Sequence, residues 1–411
     1  MSLAWVGLLL AQPAMSAEEG EGALRALAET TELNADLKSF WMGSFPYEHV
    51  LMPEEPQASG AVDGRLRLKL DLGDLFRLEA HHAVTGTTGA MEMGMGAAFG
   101  VGLDAPQALD LDWEGVSSEG MLITGRTDRL RVESTLGPTE WSVGRQPVSF
   151  GQGRFFAPLD LVNPFTPTTV DSEYKPGVDA ARVDVYPSAS TQFTAVGAYA
   201  GDWTREQMVF AGYGQVTVGV ADVGVFYGSI RGDHVGGISG WWSVGPVGMY
   251  ADVVGTLPAD SDEDAFLRAV LGADHRLTET TSVGVEVYYQ SLGESEPADY
   301  LEFATGERFS RGELWTMGRT YAGLSVFQEV TPLVMASVVA LGNLEDGSAL
   351  LSPSLSLSVA GNADVILGGF LGLGERPRNV ELADVIAGNA GIRSEFGFYP
   401  STLFVQTRAY F

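Results

Sequence analysis

Gly64-Arg65-Leu66-Arg67-Leu68-Lys69-Leu70-Asp71-Leu72 is the stretch that decides the fold of this chain. Leucine stands at every second position, and the positions between carry charged side chains. Because successive side chains of a β-strand point to opposite faces, such a strand has one apolar face and one charged face. Similar alternating segments recur up to the last residue, Phe411. The pattern is typical of a transmembrane β-barrel, which has lipid outside and water inside.

The composition agrees with a barrel and argues against a helical membrane protein. The chain has 411 residues, 45% of them hydrophobic, and a mean hydropathy of +0.07. After residue 17 no apolar run reaches the roughly 18 residues that a membrane-spanning helix needs. A barrel alternates its apolar residues, so a mean hydropathy near zero is expected. The absence of cysteine excludes disulfides, thiolate metal sites and cysteine nucleophiles.

The net charge of −29 argues against a nucleic-acid partner, because the phosphates would be repelled. Two predicted loops hold many of the acidic residues: Asp260, Asp262, Glu263 and Asp264 in one, and Glu294, Glu296 and Asp299 in the other. Both clusters are expected to be solvated. A Ca²⁺ site in the first cluster is the alternative, since carboxylates close in sequence can supply oxygen ligands. No cofactor is predicted.

The amino-terminal region differs from the rest of the chain. Residues 1–17 have the apolar core and the small-residue end of a secretory signal peptide, with cleavage predicted after Ser16. A buried amino-terminal helix is the alternative. Residues 18–60 contain one short helical pattern followed by prolines, and we predict a periplasmic segment with a short helix and a linker. The barrel is expected to occupy residues 61–411.

Eighteen alternating segments are counted from residue 61 onward, although sixteen strands are also acceptable. At roughly 20 residues for a strand and its turn, the length fits 17 or 18 strands, and bacterial single-chain barrels use even numbers. The predicted segments lie near 62–72, 75–86, 126–136, 139–149, 177–186, 189–201, 207–218, 221–232, 234–244, 246–257, 264–276, 280–292, 318–328, 331–343, 348–359, 363–374, 388–399 and 402–411. The sequence therefore predicts an all-β, antiparallel, up-and-down transmembrane barrel.

The last predicted strand, residues 403–411, resembles the carboxy-terminal insertion signal of Gram-negative outer-membrane proteins. It ends in Phe411, and Leu403 and Val405 lie at alternate positions before it. The resemblance implies an integral protein of the bacterial outer membrane. It also implies the lipid bilayer and the barrel-assembly machinery as partners.

A second stretch runs from Val143-Gly144-Arg145-Gln146-Pro147 through Arg154 to Lys175-Pro176-Gly177-Val178-Asp179. A Gly-Arg-Gln strand end before a loop rich in glycine and proline resembles the large porin-like barrels, among them the alginate-export type. The resemblance implies a conduit of 16 to 18 strands but does not identify the solute. Loops longer than about 15 residues usually have a function, and we expect residues 150–176 to narrow the lumen.

Alternation assigns a set of cations to the lumen. If the leucines of the first strand face lipid, the charged residues between them face water, and the same logic extends to other strands. The predicted lumen-lining residues are Arg65, Arg67, Lys69, Arg77, Arg129, Arg131, Arg145, Arg154, Arg182 and Arg408. Strict alternation places Arg145 on the outer face, so a bulge near Gly144 or Pro147 is needed to turn it inward.

This basic wall allows two interpretations. Cations in a narrow pore of low dielectric would favour anionic solutes despite the acidic chain. Alternatively, the arginines pair with nearby lumenal carboxylates such as Glu79, Glu133 and Asp184 as structural ladders. No catalytic residues are predicted, because no Ser/His/Asp spacing is present and the adjacent His81 and His82 point to opposite faces.

Three functions remain open at the level of sequence. The leading one is a porin-like channel that passes small, anionic solutes by diffusion. The alternatives are a barrel for polysaccharide export with periplasmic partners and a non-conducting structural or adhesion barrel. With the strand count above, the long connections lie on the same side as both termini, unlike in ordinary porins. Either the count is off by one, or bulky loops face the periplasm, which would suit an exporter.

Overall fold

The computed structural model describes residues 30–89, 107–118, 120–163, 173–201, 204–310 and 312–411. These residues form one antiparallel sheet of nineteen strands. The predicted signal peptide, residues 1–17, lies outside the described residues. The same holds for the short helical pattern predicted within residues 18–29.

The strands follow one another around the sheet in chain order. Their bounds are β1 Thr31–Phe45, β2 Gln57–Leu72, β3 Phe76–Thr88, β4 Trp113–Ser118, β5 Met121–Leu136, β6 Thr139–Gln146, β7 Val178–Ser188, β8 Thr191–Tyr199, β9 Met208–Val218, β10 Ala221–Ile230, β11 Asp233–Val244, β12 Val247–Leu257, β13 Phe266–Arg276, β14 Thr281–Gln290, β15 Thr320–Thr331, β16 Val334–Asn343, β17 Ala349–Ala360, β18 Ala363–Leu373 and β19 Ser401–Tyr410.

The sheet closes on itself into a barrel. β1 pairs with β2 on one edge and with β19 on the other, and β3 pairs directly with β5. The short β4 pairs with residues 121–125 at the start of β5, and it is not one of the strands that close the barrel. The closed barrel therefore has eighteen strands, all antiparallel, as the sequence predicts.

Alternation of side chains explains why these segments are strands. In β13, Phe266 and Val270 are buried inside, whereas Leu267 and Leu271 are exposed on the outer surface. The first strand of the sequence prediction behaves in the same way, with Leu66 58% exposed and Arg65 buried. An outer surface of exposed apolar side chains around a closed wall is the surface that a lipid bilayer requires.

The amino-terminal boundary of the barrel was predicted wrongly. Residues 31–45 form β1, which pairs along its length with two neighbours, rather than a periplasmic linker. The pattern was hidden because the outward positions of β1 mix Leu37 and Trp41 with the small Ser39 and Gly43. Conversely, the predicted strand 388–399 is part of the connection between β18 and β19. The predicted total of eighteen strands is correct because β1 was missed and the stretch 388–399 was wrongly counted as a strand.

This correction resolves the conflict over sidedness. Adding β1 reverses the direction of the following strands, so eight short turns lie at the same end as both ends of the described barrel, and the two-residue turn 231–232 lies at the other. The eight turns are residues 73–75, 137–138, 189–190, 219–220, 245–246, 277–280, 332–333 and 361–362. The long connections, including 147–177, 291–319 and 374–400, lie at the opposite end. Short turns with the termini and long loops opposite them are the arrangement of ordinary porins.

The described helices are short and lie in the connections. They are α1 Tyr300–Thr305, α2 Glu307–Ser310 and α3 Leu382–Ile386. Within the described part of the chain, 3₁₀ turns occur at Arg205–Gln207, Pro297–Asp299 and Phe396–Phe398. Among the described helices, none has the length and apolar character to cross a membrane.

Connections from the long-loop end fill part of the barrel interior. Val148, Phe150, Leu159 and Val162 form one buried cluster with the inward apolar residues of β7 to β12. Phe156 and Phe396 form a second cluster with inward residues of β13 to β17, including Tyr288 and Tyr321. One side of the lumen is therefore a packed apolar core, and this leaves the opposite wall to line any solute path.

Candidate functional site

Residues 147–163 fold into the barrel and are held there by two carboxylates of the wall. Asp252 on β12 accepts hydrogen bonds from the backbone N–H groups of Gln152 and Gly153, at 2.8 and 2.9 Å. Glu286 on β14 accepts from the backbone N–H groups of Arg154 and Phe156, at 3.0 and 2.7 Å. These bonds pair donors that would otherwise be buried without partners.

Aromatic packing fixes the same segment against the wall. The ring of Phe156 stacks on Tyr288 with centroids 4.5 Å apart and nearly parallel planes. Phe155 lies against Gly323 of β15, where a side chain would collide with the Phe155 ring at 2.6 Å. The prediction that the long connection beginning near residue 150 narrows the lumen is confirmed for residues 150–163. Residues 164–172 of that prediction lie outside the described residues.

The opposite side of the lumen is polar apart from a small apolar cluster of Phe40, Met42 and Phe404, and we call it the charged wall. It consists of the inward side chains of β1, β2, β3, β5, β6, β7 and β19. Five predicted lumenal cations on this wall are ion-paired with carboxylates of the same strand, of a neighbouring strand or, for Arg65 on β2 and Asp128 on β5, across the strand β3 that lies between. The pairs are Arg65–Asp128, Arg67–Asp36 at 2.8 Å, Arg77–Asp71 at 2.6 Å, Arg131–Glu79 at 2.6 Å and Arg182–Asp184 at 2.6 Å. This arrangement fits the ladder interpretation of the sequence.

A bulge in β5 supplies one of these carboxylates. The register between β3 and β5 shifts between His81 and His82, which leaves Asp128 as an extra residue on β5. Asp128 is fully buried and pairs with Arg65 and with Arg126. Since the bulge itself is not visible in the alternation, the Arg65–Asp128 pair could not be predicted.

The structure also places Lys69, Arg129 and Arg408 of the predicted cations. Lys69 is exposed and has no ion-pair partner among the described residues. Arg129 is buried and donates to the backbone oxygens of Asp128 and Lys175, at 2.8 and 2.6 Å. Arg408 donates to Gln406 on its own strand at 3.0 Å. Arg129 is thus held by backbone oxygens.

Arg145 lies on the outer face rather than in the lumen, which corrects its sequence prediction. Its partner Asp179, at 2.9 Å, alternates with the buried Val178 and Ala180 of β7. Gly144 has a φ of +122°, but the pairing of β6 with β5 and β7 continues through it without a shift. No inward turn results. Arg145 is nevertheless fully buried, because the segment that contains Leu109 covers it.

Arg154 lies inside the barrel on the inserted segment. It is 56% exposed, pairs with Asp274 of β13 at 2.9 Å and lies 5.3 Å from the centroid of the Tyr250 ring. It therefore faces the open part of the lumen but from the side opposite the charged wall. A contribution of Arg154 to the selectivity of the lumen stays a prediction.

No pattern in the sequence indicates the contribution of Glu173 and Tyr174 to the lumen. Both residues lie against the charged wall, where Glu173 pairs with Lys38 at 2.7 Å and Tyr174 donates to Asp36 at 2.6 Å. Their positions depend on the path of a long connection, which alternation does not determine. They narrow the lumen near the middle of β1.

Two cavities lie along the charged wall. The larger, of about 660 Å³, is at the short-turn end and is lined by Arg77, Arg131 and Arg182 together with several carboxylates. The smaller, of about 90 Å³, is lined by Lys38, Arg65, Arg126 and Tyr174 and lies nearer the long-loop end. Tyr174 contacts Arg65 on β2, whereas the larger cavity begins at Asp71, nearer the short-turn end of the same strand. Tyr174 therefore lies between the larger cavity and the long loops.

The remaining predicted sites are placed as follows. Leu403, Val405 and Phe411 are exposed on the outer face, with Phe411 70% exposed; their role in insertion stays a prediction. His81 is buried inside, whereas His82 stacks with Trp113 on the outer face, as their adjacency predicts. In the acidic cluster near residue 260, Glu263 pairs with Arg308. Among the described residues, no group of three His, Asp or Glu is placed to hold a metal ion.

Comparison with known proteins identifies the fold. No protein-family model matches the chain, and no curated protein matches it. Among solved structures, OccK5 (OpdH) of Pseudomonas aeruginosa is similar, with a TM-score of 0.56, 11% identity and coverage of 93% of this chain and 98% of that one. The chain has the fold of an outer-membrane porin.

Two further structures support this conclusion. A BenF-like porin from Pseudomonas fluorescens Pf-5 gives a TM-score of 0.55 at 7% identity, covering 93% of this chain and 99% of that one. OccK2 (OpdF) of Pseudomonas aeruginosa, solved in complex with glucuronate, gives a TM-score of 0.53 at 8% identity. The match covers 93% of this chain and 98% of that one. These identities are low, so the likeness concerns the porin-like barrel itself, as the sequence predicts.

Proposed function

We propose that this chain is an integral outer-membrane channel that passes small solutes by diffusion, with a modest preference for anionic ones. The observation that carries the proposal is the division of the lumen. Apolar connections fill one side, and a cavity of about 660 Å³ remains beside the charged wall at the other. A polar path of limited width suits small hydrophilic solutes.

The preference for anions rests on the donors that the arginines have left. A guanidinium has five N–H donors, and one carboxylate partner uses at most two of them. Arg131 pairs with a second carboxylate, Glu133, at 3.1 Å. Arg77, Arg131 and Arg182 line the larger cavity, so the donors that remain on them are placed to contact a passing anionic oxygen. The same cavity is also lined by Asp71, Asp74, Glu133, Glu140 and Asp184. With five carboxylates against three guanidiniums the cavity has no excess of positive charge, so the preference for anions rests on the remaining guanidinium donors alone and is expected to be modest.

The filled lumen disfavours the polysaccharide exporter among the alternatives. A polymer needs a continuous wide path, whereas Phe156, Phe396 and Tyr174 occupy the interior at different positions. The arrangement of loops that had suggested bulky periplasmic connections also disappears once β1 is included. No feature of the charged wall suggests a catalytic role, and we propose a channel without enzymatic activity.

Osmotic swelling of proteoliposomes tests the channel. We expect arabinose to enter liposomes that contain the protein quickly, and raffinose to enter slowly or not at all. Protein-free liposomes and liposomes with heat-denatured protein are the controls. Equal exclusion of both sugars by correctly folded protein would overturn the proposal and favour a non-conducting barrel.

Reversal potentials in a KCl gradient test the preference for anions. We expect the double variant Arg131→Gln/Arg182→Gln to shift selectivity towards cations by a few-fold. Arg378→Gln is the matched control, because Arg378 is exposed in the connection 374–400 at the other end of the barrel. An unchanged reversal potential in the double variant would remove the anionic part of the proposal and leave the channel intact.

A further inference from the structure

Glu173 and Tyr174 make an unusual set of contacts with the charged wall. One oxygen of the Glu173 carboxylate lies 2.7 Å from the Lys38 ammonium and accepts a hydrogen bond from the Tyr410 hydroxyl at 3.1 Å. The Tyr174 hydroxyl donates to Asp36 at 2.6 Å. A carboxylate and a phenol from the connection 147–177 therefore occupy adjoining places on strands β1 and β19.

Cations surround the ring of Tyr174. The guanidinium carbon of Arg65 lies 4.3 Å from the ring centroid, the Lys38 nitrogen 4.7 Å and the guanidinium carbon of Arg67 5.8 Å. His81 meets the same ring edge-on, at 6.3 Å and 88°. Attraction between a cation and an aromatic face is strongest where the cation is desolvated, and Lys38 and Arg65 are 6% and 5% exposed.

These wall residues form a recess with complementary chemistry, which we call the aryl recess. Its members are Asp36, Lys38, Arg65, Arg67 and Tyr410. It offers an acceptor for a phenolic hydroxyl, cations for the face of a ring, and an ammonium and a hydroxyl for a carboxylate. Because Lys38 contacts both the ring and the carboxylate, the ring and the carboxylate of a ligand must lie close together.

We propose that the aryl recess binds small hydroxyaryl carboxylates, and that Glu173 and Tyr174 occupy it when no such solute is present. The inference rests on the proposed function, since it names a solute class for the same lumen. The occupying groups belong to a connection rather than to the barrel wall, so a solute can replace them without altering the strands. The cavity of about 90 Å³ beside Lys38, Arg65 and Tyr174 is space next to the recess.

Calorimetric titration of the full-length, detergent-solubilised protein tests the inference with 4-hydroxyphenylacetate as the probe. The double variant Glu173→Ala/Tyr174→Ala removes the internal occupants, and we expect it to bind the probe about tenfold more tightly than the wild type. Cyclohexylacetate keeps the carboxylate but lacks the aromatic face and the hydroxyl, so its affinity should increase much less in the double variant. Tyr47→Ala is the matched control, because it removes a tyrosine ring 4.6 Å from the guanidinium carbon of Arg376 in the connections at the long-loop end.

Adding Lys38→Met to the double variant should abolish the gain in affinity. If that triple variant does not fold, Tyr410→Phe in the same background should lose part of the gain, because one donor to the carboxylate is removed. Heat-dependent gel mobility reports whether each barrel is folded. The inference is overturned if the double variant binds the probe no better than the wild type, or if cyclohexylacetate gains as much.

Equilibrium binding does not require conduction, so the two proposals fail separately. A folded barrel that binds the probe but passes no solute contradicts the proposed function and leaves the aryl recess standing. A barrel that conducts but never binds the probe contradicts the recess alone.

Discussion

At the scale of single residues, the charged wall shows how a barrel accommodates arginines inside it. Each guanidinium that alternation places inward on the wall needs an acceptor, because a buried charge without a partner is costly. Arg131 reaches Glu79 across the β3–β5 pair, and Arg182 reaches Asp184 on its own strand. The ion pairs hold the side chains against the wall and keep the path beside them open.

Alternation predicted the inward direction of these residues but not their partners. Arg65 and Asp128 are 63 positions apart and meet because of a bulge that no local pattern reveals. Arg145 shows the reverse case, since strict alternation was correct and the expected bulge is absent. Glu173 and Tyr174 could not be predicted, because a connection has no periodicity that fixes where its side chains lie.

Glu395 gives a prediction of pH dependence at this scale. It lies in the connection 374–400, where it accepts hydrogen bonds from Tyr321, from Asn343 at 2.8 Å and from the Met317 N–H at 3.1 Å. Burial raises the pKa of the Glu395 carboxyl to about 7. A raised pKa means that the folded state favours the protonated carboxyl.

The protonated Glu395 carboxyl therefore stabilises the folded connection fully below pH 4.5, and this stabilisation is lost as the pH rises through about 7. The rise in the pKa of Glu395 from 4.5 to about 7 corresponds to about 3 kcal/mol in the free energy of unfolding of the connection. We expect hydrogen exchange in residues 388–399, corrected for intrinsic rates, to be slower at about pH 5 than at about pH 8. Glu395→Gln should flatten this dependence, and Glu381→Gln, in the same connection, should not. A wild-type connection that is equally protected at both values would refute the prediction.

At the scale of elements, strands and connections differ in how far the sequence predicts them. Apart from β1, the strands of the closed wall have clear alternation or turn signals at their ends. β1 was missed because its outward positions include Ser39 and Gly43, so that apolar residues recur only at wider spacing. Residues 388–399 alternate but lie in a connection, from which Phe396 packs in the aromatic cluster inside the barrel.

The inserted segment gives the prediction at this scale. Glu286 pairs with the backbone donors of Arg154 and Phe156, and each buried donor left without a partner costs about 1–3 kcal/mol. We expect Glu286→Ala to loosen residues 152–156 and to speed their hydrogen exchange by at least about tenfold. The matched control is Asp274→Ala, because Asp274 contacts this segment through the Arg154 side chain at 2.9 Å. Equal acceleration in the two variants would show that the backbone bonds do not anchor the segment.

At the scale of the whole molecule, closure of the barrel depends on β1. It is the strand that joins β2 to β19, and without it the first and last predicted strands would have to pair directly. The architecture and the strand number follow from alternation, length and the even-number rule. The sidedness of the loops did not follow, because one missed strand reverses the direction of its successors.

Engineered disulfides test this closure, since the chain has no cysteine of its own. Ser39 and Thr407 are directly paired, with their hydroxyl oxygens 2.8 Å apart. The double variant Ser39→Cys/Thr407→Cys should form a disulfide on mild oxidation, seen as altered mobility of the unfolded chain on a non-reducing gel. Ser39→Cys/Leu403→Cys is the control, because Leu403 pairs with Gly43 and lies about 13 Å further along the strand. Equal cross-linking in both variants, or none in the first, would contradict the register.

The single-channel conductance of the refolded wild-type protein in a planar lipid bilayer tests the central claim most directly. An eighteen-stranded barrel that is partly filled by its own connections should show discrete, steady openings smaller than those of an unobstructed barrel of the same strand number. A correctly folded barrel that stays silent would contradict the solute channel. Openings as large as those of an empty barrel would contradict the filled lumen.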